Sequence, residues 1–420
     1  MKNMYNFLKI NFLGLILVGQ LLNAQYDNGV LISNEGNFGS PNADVSYIDQ
    51  DTYEISNNIY QAVNNEPLGD VLQHVRIHGD KAYLVMNNSN KIVVVDRASF
   101  EKIDVITEQI SLPRFIGFAN DKLFVSNSSG RYVSIYNEAD RSFITKIEQL
   151  GSVNNVEVAG NYVFVQQGNW GSGNSVAVID ATTNTLNSIL EVDEGINGII
   201  SNGDFLYTLS STANGTVINK IDATDLSLAA TIIAEDITGA GKIAYSDGNL
   251  YFIGNSTDIF SVEDNLMSEP SLVTSVPDNA WSTLYGFGVV DDYILTSDSN
   301  GFTQASIIRA YSKETGSLVA TFNAGIGSNG FYDNIVEGLN TSDVVLAINK
   351  VQVYPNPVAD RFYIQGVEAA QVEIYNTLGS LVKTVQFNGQ AISVEGLAKG
   401  VYFVVISNDN MKVSKKVILK

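Results

Sequence analysis

Short apolar runs alternate with small polar clusters along most of this chain, and the spacing between clusters repeats. From residue 30 to about 337 the runs are rich in Val, Ile, Tyr and Phe, and no stretch sustains a helical period. That is the pattern of an all-β chain. The segments HGDKAYLV (78–85), ANDKLFVS (119–126), AGNYVFVQ (159–166), NGDFLYTL (202–209), SDGNLYFI (246–253) and VDDYILTS (290–297) each set Gly, Asn or Asp pairs between two apolar strands. Such pairs suit tight hairpins. They recur every 40 to 44 residues, the period expected of four-stranded propeller blades.

A second marker runs in step with the first. VSYIDQDTYEI, IVVVDRASFEKI, VSIYNEADRSFI, VAVIDATTNTLNSI, INKIDATDLSLAATI and IRAYSKETGSLVATF each read as strand, polar turn, strand. Together the markers predict four strands per unit and seven blades. The unit around DIFSVEDNLMSEPSLV is degenerate, which leaves six or eight within the count. The first unit starts at GVLISNEG without an innermost strand, and the last is followed by an unassigned β-like run, GFYDNIVEG. If that run completes blade one, the ring closes near residues 330–337 and no sheet edge stays unpaired. The predicted propeller spans 25–338.

The pattern changes at both ends. Residues 1–24 carry Lys2, Lys9 and the apolar run FLGLILVGQLL, the layout of a secretory signal peptide. After a polar linker at 339–350, residues 351–420 form a separate short-stranded unit of β-sandwich type. It opens on Tyr354-Pro355-Asn356-Pro357, continues through IYNTLG and the GVYFV that begins at Gly400, and closes on KKVILK with Lys415 and Lys416. These segments, in that order, resemble the C-terminal (Por) sorting domain of type IX secretion in Bacteroidota. The resemblance implies recognition by that machinery and a product that is secreted or anchored at the cell surface.

Charge narrows the function. The net charge is −21, and the stretch from Val351 onward has 7 basic against 5 acidic residues, leaving 17 against 40 in the rest. An acidic body repels phosphate backbones and argues against nucleic acid as a partner. No cysteine is present, so neither a disulfide nor a lipidated cysteine is expected. The only histidines, His74 and His78, read as ordinary packed or exposed residues, and no metal site or catalytic residue is expected. TSDSNG (296–301) has some calcium-loop character but lacks the terminal bidentate acid.

The propeller segments LISNEGNFGSPNADVSYID and LPRFIGFANDKLFVSNSSGRYVSIYN resemble YncE-like secreted propellers, and among them the BtuG-like group that captures cobalamin at the cell surface. That likeness implies a corrinoid ligand and an outer-membrane transporter as partner, although the lipid anchor of that group has no cysteine to use here.

The candidate site comes from the residues themselves. GNFGSPN (36–42) and its echo GNWGSGN (168–174) look like phosphate loops, but ADVSYIDQDTYEI after the first alternates like a strand. A phosphate loop needs a helix there. In blade order both are tip loops on the face where inner strands begin, which brings forward Asn37, Phe38, Asn169 and Trp170. Counting back seven residues from each hairpin yields Gln73, Arg114, Asn154, Asn197, Gly241 and Tyr285 at the channel mouth. Loop aromatics Trp281, Phe302 and Tyr332 add stacking surface. Amides with one positive charge suit a polar organic ligand, a small molecule or glycan. The expectation is a monomeric, non-enzymatic, ligand-binding propeller with no cofactor other than a bound corrinoid. The alternatives are an adhesion module for polysaccharide or protein and, further off, a propeller hydrolase or lactonase.

Overall fold

The computed structural model describes residues 25–169, 171–277, 282–335, 352–365, 369–376, 380–408 and 411–420. The predicted signal peptide and linker lie outside these. The chain divides into two compact units, residues 1–336 and 337–420.

The first unit is a seven-bladed propeller, with seven antiparallel four-stranded sheets. Blade two shows the common plan: Leu72–His78 innermost, then Lys81–Met86, Lys91–Asp96 and Lys102–Ile106. Its second strand is buried almost throughout, while its fourth is mostly exposed. The cause is packing on both faces: a middle strand has a neighbouring blade on each side, so its apolar residues run on rather than alternate. Seven apolar clusters result, one between each pair of adjacent blades. Leu31, Val45 and Tyr47 of blade one meet Val75, Leu84 and Val93 of blade two, and the series continues around to Leu295 and Ile308 of blade seven against Val30 and Ile32 of blade one. A core at every blade boundary makes the ring continuous.

Blade one is assembled from both ends of this unit. Ser328–Asp333 is its innermost strand and pairs antiparallel with Gly29–Asn34, followed outward by Asp44–Asp49 and Ile55–Ser56. The polar turns between third and fourth strands are Asx turns. Asp49 Oδ1 accepts from the backbone N–H groups of Asp51 and Thr52 at 3.0 and 2.8 Å, and Asp96 does the same for Ala98 and Ser99. Many of the acidic residues of the body are thus turn formers.

The second unit pairs a three-stranded sheet (Gln352–Tyr354, Arg361–Gln365, Ile392–Ser393) with a four-stranded one ordered Leu381–Phe387, Ala370–Asn376, Gly400–Asn408, Met411–Leu419. Its core, including Val358, Phe362, Val372, Ile374, Val404 and Val417, comes from this unit alone. Asn356 of the YPNP motif accepts the Ile418 N–H at 2.9 Å, and Tyr354 stacks on Tyr363. The opening motif is thereby tied to the terminal strand that carries Lys415 and Lys416.

Candidate functional site

Every inner strand begins with an irregularity. In blade one Ser33 pairs with Gly330 but Asn34 with Ser328, so Asn329 is an extra residue. Gln73, Asn197 and Lys242 are extra in the same way in blades two, five and six. Arg114 and Phe115 together oppose Ser126 in blade three. Asn154 and Asn155 share Gln166 in blade four, and Tyr285 and Gly286 share Ser297 in blade seven. Two residues against one define a β-bulge, which turns a side chain out of the sheet. The seven bulges each carry a polar side chain at the corresponding end of an inner strand: Asn329, Gln73, Arg114, Asn154, Asn197, Lys242 and Tyr285.

Most of these side chains are linked to a neighbouring blade. Asn329 Nδ2 donates to the Leu72 and Gln73 carbonyls at 3.1 and 3.2 Å. Arg114 donates through Nη1 to Gln73 Oε1 at 2.7 Å and through Nε to Asn154 Oδ1 at 3.2 Å. Asn197 Nδ2 donates to the Ala240 carbonyl at 2.6 Å, and Lys242 Nζ donates to the Tyr285 carbonyl. Glu35, immediately before the GNFGSPN loop, joins the two ends: its Oε1 accepts from Tyr285 Oη and from Asn329 Nδ2, each at 2.7 Å.

Partial burial among the inner strands sets the electrostatics of the mouth. Burial pushes the Glu35 carboxyl up, while its two hydrogen bonds and the charges of Lys242 and Arg114 pull it down. Burial lowers the Lys242 ammonium to about 8 against the pull of Glu35, and it lowers Arg114 as well. The Tyr285 phenol is raised by burial and then by the Glu35 charge. Among the described residues, Glu35 Oε2 and Arg114 Nη2 have no protein hydrogen bond, and Lys242 uses one donor of three. One acceptor and several donors are therefore left for a guest. Further along the same inner strands, His74 sits between Phe115 and Tyr332, at ring-centroid distances of 4.8 and 5.4 Å. Burial, and then the charge of Arg76, lower its imidazole to about 3.

The expected site residues separate into three groups. Gln73, Arg114, Asn154, Asn197 and Tyr285 do come together. Phe302 joins them from the rim, its ring edge-on to Tyr285 at 4.7 Å. In blade six the bulge falls one residue later than the count from the hairpin, so Lys242 takes the place expected of Gly241.

Three others stand elsewhere. Asn37 spends its side chain on the Phe302 carbonyl and on Asn42, so it holds the loop rather than facing a ligand. Phe38 is 82% exposed at the loop tip. Tyr332 is no rim aromatic: it lies in the innermost strand of blade one, packed on the core between blades one and two. Trp170, Trp281 and the side chain of Asn169 fall outside the described residues. His78 stacks on Phe118 and pairs with Glu138 at 3.0 Å, and Asp298 of TSDSNG is committed to Ser282 and Asn300. Among the described residues no cluster of three or more His, Asp or Glu is placed to hold a metal ion.

Glu35, Asn329 and Lys242 are the site residues that sequence reasoning missed. Only Glu35 had a signal, its position directly before a repeated glycine loop.

A seven-bladed propeller with a polar, charged axial mouth and a C-terminal sorting unit is the class of protein defined here. The chain belongs to the family described as a domain of unknown function (DUF5074), whose profile matches residues 28–363. Residues 352–420 match the secretion system C-terminal sorting domain, which places the chain among substrates of type IX secretion, destined for secretion and cell-surface attachment. The first unit is similar in fold to a quinoprotein alcohol dehydrogenase-like protein from Bacteroides thetaiotaomicron, at 14% identity and a TM-score of 0.57, covering 74% of this chain and 78% of that one. It is also similar to Kuenenia stuttgartiensis hydrazine synthase, at 11% identity and a TM-score of 0.53, covering 76% of this chain and 96% of that one. A comparison with curated proteins finds no match.

Proposed function

We propose that this exported propeller captures a polar small molecule at its axial mouth without turning it over, and that the ligand is a corrinoid. The observation that carries the reading is the ring of seven bulges, which sets amides, two cations and a phenol at the same end of the inner strands and leaves donors and an acceptor unused. Uncommitted donors and an acceptor close together at one mouth supply hydrogen bonds for a polar guest. A corrinoid suits the set: its peripheral carboxamides both donate and accept, and its phosphate is an anion for Arg114 and Lys242. The resemblance to cobalamin-capturing propellers supports the same choice. Capture fits the carboxylate as well, since Glu35 is held by Tyr285 and Asn329 rather than set beside a nucleophile.

The test is direct. Cobalamin added to the purified protein at micromolar concentration is expected to shift the corrinoid absorption spectrum and change tryptophan fluorescence, with both responses weakened in Glu35→Gln and Arg114→Gln. Unchanged spectra in the wild type would rule the corrinoid out.

A further inference from the structure

Blade one departs from the plan of the other six, and a cavity stands where it does. Fourth strands elsewhere run from five residues (Lys102–Ile106) to nine (Leu318–Ile326), but in blade one the fourth strand is only Ile55–Ser56. It pairs with Tyr47 and Ile48 alone, so the upper half of the third strand, Asp44 to Ser46, has no outer partner. The chain turns away at Asn57 and Asn58 into a short helix, Ile59–Asn64. A cavity of about 440 Å³ lies in the space so left, between blade one and the end of the Leu318–Ile326 strand of blade seven. Its other wall is the GNFGSPN loop, through Pro41 and Asn42.

The lining selects one chemistry. The carboxamides of Asn34, Asn42 and Asn57 line the cavity but are tied to Ser46 and Ser328, to Asn37, and to Ser46 and Asn323. Among the described residues those of Asn58 and Gln61 are free, and no cationic side chain lines the cavity. Its single carboxylate, Asp44, is engaged by the backbone N–H groups of Val45, Tyr60 and Gln61, at 2.7, 2.9 and 3.1 Å. Asp44 thereby caps the helix. Asn58, which occupies the N-cap position, makes no side-chain cap hydrogen bond. Its carboxamide and that of Gln61 have no hydrogen-bond partner among the described residues, and both residues are exposed at the rim. The two free amides, without fixed charge and beside the apolar Ala43, Ala305 and Ala324 of the lining, match an uncharged polyol with hydroxyls on its edges and C–H groups on its faces.

We infer that this cavity is a second binding site, independent of the axial mouth, and that it takes a neutral sugar unit. The curtailed strand is the device that makes the room, and the displaced helix presents the rim amides.

Saturation-transfer NMR on the full chain tests this with glucose, galactose, mannose, maltose and cellobiose at ~10 mM, enough to populate a millimolar site. At least one of them is expected to bind. Asn58→Gly keeps the left-handed backbone that Asn58 adopts, φ 58°, and removes only the amide; Gln61→Ala removes the other. Each is expected to weaken the sugar at least tenfold with an unchanged melting temperature, and Asn58→Gly to leave any corrinoid response as in wild type. Binding of a disaccharide but not its polymer assigns a free sugar, and binding of both assigns a glycan chain; either supports the site. Absence of binding by every neutral sugar overturns the inference, as does sugar binding that both variants retain. Because the mouth is read by corrinoid spectra and the cavity by sugar NMR, either reading can fail alone.

Discussion

Burial resists the charged forms of both Glu35 and Lys242, and each charge makes the other's easier to keep. Replacing Glu35 with Gln removes the interaction that helps Lys242 keep its proton, so the Lys242 pKa is expected to fall below about 8. An NMR titration of ¹³C-methylated lysines would read this, and a Lys242 value that stays put or rises would refute the coupling. His74 supplies a pH test of stability. Its folded pKa, about 3, lies below the ordinary 6.5, so between those values the unfolded chain binds the extra proton. The His74 contribution is therefore fully present above pH 6.5 and is lost as pH falls toward 3, at about 1.4 kcal/mol for each unit traversed. Urea unfolding of wild type and His74→Gln from pH 7.5 to 4 should show the gap between them narrowing on the acid side; a gap independent of pH would count against it.

The blades were legible in the sequence because their signals are local. A hairpin needs Gly, Asn or Asp at its turn and an Asx turn needs its Asp, and both repeat with the blade. The mouth was only partly legible, because a bulge is a property of pairing, set by which residues of the neighbouring strand find partners. Counting from the hairpins located five ring members, failed by one residue in blade six where the bulge moves, and could not reach Asn329, whose strand has no hairpin of its own. Inner strands also pack tightly where they converge. A Cβ on Gly198 would stand 2.9 Å from Ile243 Cγ2 of the next blade. Gly198→Val is expected to destabilise the propeller by about 1–3 kcal/mol through overpacking. The urea midpoint would show it, and an unchanged midpoint would mean that blades five and six can separate without cost.

At the scale of the molecule, one strand decides whether the repeat is a ring or an open stack. Ser328–Asp333 covers the edge of Gly29–Asn34 and brings Phe331 and Tyr332 into the cores on either side of blade one. The sorting unit has a core of its own. Two truncations separate these roles. A chain ending at Ile335 keeps the closing strand, so it should melt cooperatively at the temperature of the full-length propeller transition and retain its ligand response, while failing to leave the cell by the type IX route. A chain ending at Gly327 loses Asn329 from the mouth and exposes the N–H and C=O groups of Gly29–Asn34 as a bare edge, the kind of template that recruits other chains. It should elute as aggregate and lose the cooperative transition. Size-exclusion chromatography and thermal melts of the pair decide the matter: if the shorter chain is monomeric and melts like the longer one, the blade-to-blade cores hold the ring without its closing strand.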